Sequence, residues 1–188
     1  MRLLLKAAHA IDAVNGRIGR AMIWLVLVMV LVSSANALVR YLFNTSSNAW
    51  LELQWYLFAA VFLLCAGYTL LHNEHIRIDV LSSRLPPRAR LWIDVAGTLL
   101  FLLPVACYVV WLSWPVFVNA WQSGESSSNA GGLVRWPARL LVPAGFLLLA
   151  LQGVSELIKR VAALRGLASA PAQQPATPLD TGRGDAGT

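Results

Sequence analysis

Four long apolar stretches of this chain are almost free of charge. Ala21–Val39 (AMIWLVLVMVLVSSANALV) and Leu53–Leu71 (LQWYLFAAVFLLCAGYTLL) carry no charged side chain at all. Val95–Trp114 is equally free of charge and lies in an uncharged run that reaches Gly124. Leu140–Ile158 is interrupted only near its end by Glu156, which stands i,i+4 to Arg160 and so suits a pair at a membrane boundary. A helix crossing a hydrocarbon layer about 30 Å thick needs about 20 mostly apolar residues at roughly 1.5 Å of rise each. The sequence therefore predicts an all-α membrane protein with four transmembrane helices near 21–39, 53–71, 93–116 and 139–158. These make up a membrane domain over 21–160, flanked by a cytoplasmic leader (1–20) and a disordered cytoplasmic tail (161–188).

The orientation follows from Lys and Arg, which favour the cytoplasmic side of short loops. The leader holds Arg2, Lys6, Arg17 and Arg20, the middle loop Arg77, Arg84, Arg88 and Arg90, and the tail Lys159, Arg160, Arg165 and Arg183. The opposite side has only Arg40, Arg135 and Arg139. Both termini are thus expected in the cytoplasm. Tryptophan prefers the headgroup boundary and gives the same picture. Trp24 and Trp92 mark the inner boundary, whereas Trp50, Trp55, Trp111, Trp114, Trp121 and Trp136 mark the outer one.

Ala35-Asn36-Ala37 resembles a signal cleavage site, but a signal core is shorter and a long leader precedes this one, so the first span reads as an uncleaved anchor. The leader repeats apolar residues at Leu4, Ala7, Ile11, Val14 and Ile18, the stripe of an amphipathic helix lying on the inner surface, with Asn15-Gly16 interrupting it. NTSSNAW and QSGESSSNAGGLVRWP have the composition of exposed connections, and from Gly166 onward apolar periodicity is absent.

Chemistry is hard to find in this sequence. A net charge of +6 comes without a basic run interleaved with aromatics, so nucleic acid is not an expected partner. P-loop, GxSxG, HExxH and CxxC motifs are missing, which gives no support for an enzyme. Cys65 and Cys107 both lie in uncharged stretches and read as small apolar residues. No ionisable group stands near a mid-span position, where a transporter that handles an ion by itself usually keeps one. His72 and His75, spaced i,i+3, leave a stand-alone haem- or metal-binding membrane protein as the alternative, although no opposing span supplies a further ligand. No cofactor is expected.

The densest polar stretch, HNEHIRIDVL at 72–81, follows the second span directly. Its alternation from His75 to Val80 suits a short interfacial segment with one greasy and one charged side, and Pro86-Pro87 stops any helix before the third span. Here the chain resembles the small membrane subunit of tripartite ATP-independent periplasmic (TRAP) transporters, the DctQ-type family. The resemblance rests on an E-x-Q-like start to the second helix (Glu52, Gln54) and the His75-Ile76-Arg77-Ile78-Asp79 run at its end. Trp136-Pro137 and Pro143-x-Gly145 opening the last helix add to it, and the likeness covers roughly residues 20 to 160. It implies three parts: a periplasmic substrate-binding protein for an organic acid, a large TRAP permease subunit driven by a cation gradient, usually sodium, and this small scaffold. Glu52, Gln54, His75, Arg77, Asp79, Trp136, Pro137, Pro143 and Gly145 are then structural or subunit-interface candidates. Small residues such as Ser33, Ser34, Ala35 and Gly67 are expected at helix contacts, with Asn36 bonding between helices.

Overall fold

The first helix forms because nothing in 42 residues breaks it. In the computed structural model, which describes residues 2–45, 47–72 and 86–165, α1 runs from Arg2–Phe43. The leader is helical, but it is not a separate helix that turns at the start of the span: it passes without a break into the first span, and Ala8, Asn15 and Gly19, not the apolar stripe, are its buried residues. Asn15 and Gly16 stay helical inside it. The helix stops where Asn44 turns into the left-handed region (φ 51), which asparagine tolerates better than most residues.

α2 (Asn48–Leu71) holds the second span. The third is built in three pieces: α3 (Pro87–Gly97), a π-helical turn over Thr98–Leu102, and α4 (Leu103–Ser123). Pro104 explains the irregular turn, since it has no N–H to give the carbonyl one turn back and its ring crowds that carbonyl. The Leu103 N–H bonds instead to Thr98 O, five residues behind. Gly124, at φ 60, ends α4 in a conformation that side chains rarely adopt. α5 (Trp136–Leu164) forms the fourth span and continues past the boundary expected at 160. All four helical stretches are long and apolar enough to cross a membrane. The expected interfacial segment after α2 and the chain from Gly166 on lie outside the described residues.

α5 is the centre of the packing. It lies against α1, α2 and α4, and α2 also packs on α1, whereas α4 is held mainly by α5. The interior is made of small and polar side chains. Ala8, Ala60, Ala106, Ala120, Ala150 and Ala162 are buried with Gly67, Gly145 and Gly153, while Ile23, Trp24, Phe58, Phe62, Phe101 and Trp111 point outward. Lipid tails are as apolar as leucine, so large side chains gain little by turning inward, and small ones let backbones approach closely.

Gly145 shows how close the approach is. A methyl group there would stand 2.7 Å from Leu63 O on α2, and one on Gly67 would stand 2.5 Å from the Asn15 side-chain oxygen.

Candidate functional site at the two ends of the bundle

At one end, Asn48, Glu52 and Tyr56 stand on successive turns of one face of α2, and all three reach the connection between α4 and α5. Glu52 Oε1 accepts hydrogen bonds from the Ser127 hydroxyl and, at 2.9 Å, from Asn129 Nδ2. Its Oε2 accepts the Leu133 N–H at 2.7 Å. Asn48 Nδ2 donates to Ala130 O at 3.0 Å, and the Tyr56 hydroxyl donates to Val134 O at 3.2 Å. A carboxylate only accepts, so a ring of donors around it is a strong and directional clamp.

The clamped loop is folded in its own right. Ser126 and Val134 form an antiparallel bridge, Ser127 N–H bonds to Leu133 O at 2.9 Å, and Arg135 N–H bonds to Glu125 O at 2.9 Å. The Glu125 carboxylate pairs with Arg135 at 3.2 Å and Arg139 at 2.7 Å, which ties the loop to the start of α5. Composition predicts an exposed connection here. The loop is largely exposed, as expected, and it is also an ordered cap, because one acid on α2 supplies the acceptor that the loop's donors need.

At the other end a second polar cluster joins α1, α3 and α5. Asn15 Nδ2 donates to Gln152 Oε1 at 2.8 Å, and Gln152 Nε2 donates to Asp12 Oδ1 at 2.9 Å. The Ser155 hydroxyl lies 2.7 Å from Asp12 Oδ1 and 3.1 Å from Ala8 O. Lys159 is shared between Asp12, at 3.1 Å, and Glu156. Arg160 lies 3.7 Å from Glu156 and 3.8 Å from Asp94 and donates to Thr98 Oγ1 at 3.3 Å, beside the π turn. Glu156 is buried, and the i,i+4 pair expected from the sequence is present.

The candidates drawn from the sequence therefore have different settings. Glu52 is the centre of the loop clamp. Trp136 opens α5 with its ring edge-on to Trp121 at 4.6 Å, extending a row through Phe117 to Trp114. Pro137 occupies the first turn of α5, where a missing N–H costs nothing. Pro143 and Gly145 are both buried, with Gly145 against α2. Gln54, Ser33 and Asn36 line an open groove between α1 and α2 rather than a helix contact. His75, Arg77 and Asp79 lie outside the described residues. His72 turns back on its own helix, its ring 4.1 Å from that of Tyr68 and its Nδ1 3.0 Å from Tyr68 O. Among the described residues no group of three His, Cys, Asp or Glu could hold a metal.

The family described as tripartite ATP-independent periplasmic transporters, DctQ component, matches residues 29–163. The chain belongs to the DctQ family. It is accordingly the small membrane subunit of a tripartite transporter, a multi-pass component of a larger complex. The DctQ match contains the whole loop clamp and the α5 half of the second cluster, while Asp12 and Asn15 precede it. No curated protein and no solved structure matches the chain.

Sequence reasoning missed the donors around Glu52 and the Asp12–Gln152–Lys159 network. The second had a signal, since Ala8, Asp12, Asn15 and Gly19 recur at helical spacing as a small, polar stripe beside the apolar one. That stripe faces the bundle and leaves Leu4 and Val14 exposed.

Proposed function

We propose that this DctQ subunit is a non-catalytic scaffold that braces the large permease subunit and helps dock the periplasmic binding protein during cation-driven uptake of an organic acid. The observation that carries this reading is where the polarity lies. The buried charges pair with one another at one end, Glu52 caps the other, and the interior between is alanine, glycine and aliphatic side chains. A transport route needs polar groups at mid-depth that exchange partners, and a bundle with its charges mutually committed suits a rigid frame.

In this reading both termini are cytoplasmic, the membrane is the bacterial inner membrane, and the capped loop at 124–135 faces the periplasm. The loop is the docking surface for the binding protein. Sodium is the coupling cation, handled by the large subunit. Glu52 fixes the start of the second span, and His75, Arg77 and Asp79 fix the turn at its end.

The test is co-purification. Asp79→Ala is expected to weaken recovery of the large subunit with the tagged chain while the choice of substrate in residual uptake stays the same. Unchanged co-purification together with unchanged uptake would count against the reading.

A further inference from the structure

Toward the Glu52 end, α1 and α2 leave a groove that nothing among the described residues fills. Its deeper half, about 790 Å³, is walled by Met29, Val30, Phe58 and Ala59. Its mouth, about 760 Å³, is lined by Asn36, Arg40 and Asn44, and Ser33 and Gln54 line both halves and join them. Among the described residues the side chains of Asn36, Arg40, Asn44 and Gln54 make no hydrogen bond or ion pair, and no carboxylate lines the mouth. Glu52, the acid nearest on α2, is turned to the loop instead.

Arg40 and Asn44 are exposed at the end of α1, so the mouth presents a positive charge and amide donors that no acid lining it answers. An occupant that complements this lining brings one negative charge and several acceptors at the mouth, with an apolar tail below. Arg40 ends the uncharged run of the first span, and exposed Trp50 and Trp55 stand near the same end, which is headgroup level. A partner's transmembrane helix would fit the apolar half, but it would answer the mouth only where it carried an acid or its C-terminal carbonyls at the level of Arg40. A glycerophospholipid offers a phosphate and two ester carbonyls, all acceptors, above acyl chains.

We propose that this groove binds one anionic phospholipid, its phosphate at Arg40 among the amides and an acyl chain along Met29, Val30, Phe58 and Ala59.

Native mass spectrometry of the full-length chain, released from detergent after titration with phosphatidylglycerol, diacylglycerol or glycerol 3-phosphate, tests this. One phosphatidylglycerol per chain is expected to be retained, with both half-ligands held far less well. Arg40→Gln is expected to weaken retention about fivefold, the effect of one basic residue beside an anionic headgroup, and Arg40→Lys to restore most of it. Ala59→Trp, which fills the trough, is expected to abolish retention with helicity unchanged. Diacylglycerol held as tightly as phosphatidylglycerol, or retention unaffected by both Arg40→Gln and Ala59→Trp, would overturn the proposal. So would a Ser33→Cys variant that crosslinks to a partner helix in the assembled complex while no phospholipid is retained.

Discussion

Single residues in this protein act through what they exclude or complete. Gly145 has no room for a methyl group, because Leu63 O would lie 2.7 Å and Leu63 Cβ 2.8 Å from it. Gly145→Ala is expected to push α2 from α5 and destabilise the bundle by about 1–3 kcal/mol, read as a lower thermal transition in detergent. An unchanged transition would show that the two backbones are not in contact. The charges at the α1–α5 end make a sharper contrast. Lys159 serves both Asp12 and Glu156, so Lys159→Met takes from Asp12 its cation and leaves Glu156 with Arg160 alone, and is expected to cost about 3 kcal/mol. Glu156→Gln is expected to cost less, because Lys159 keeps Asp12 and Arg160 keeps Asp94. Equal losses in the two variants would contradict this division of partners.

Among the elements, the four spans were legible because a run of uncharged residues of bilayer length has few other uses. Glu52 stood out for the same reason, as an acid at the head of such a run. Its partners did not, since Ser127, Asn129 and the Leu133 N–H reach it only after the loop folds back across 75 or more residues of chain. The π turn is a similar case: Pro104 marks the place in the sequence, but that Arg160 fills the space beside it is a tertiary fact. The leader was read from its apolar stripe, which faces outward, whereas Asp12 and Asn15 on the other face are what hold it.

Two element-level outcomes follow from these attachments. Glu52→Gln keeps one acceptor oxygen in place of two charged ones, so amides at 127–134 are expected to exchange hydrogen faster while those of α2 and α5 do not change. Deleting residues 1–20 uncovers Gln152, Ser155 and Glu156 and is expected to speed exchange over 152–160. Unaltered exchange there would mean that α1 does not shield α5.

For the whole molecule, the distribution of polarity separates a support from a conduit. Small side chains bring the helices together, a carboxylate caps one end, and a balanced set of charges closes the other, so the large apolar side chains are left facing outward for lipid and for partners. A bundle built in this way is expected to sustain transport without carrying solute itself. With the sodium gradient, organic acids and partner subunits proposed above, uptake into proteoliposomes is the measurement, comparing the chain alone, the large subunit alone, and the two together with the binding protein. Uptake is expected only with all the parts present. Accumulation by the chain alone would contradict the claim, and so would full uptake without it.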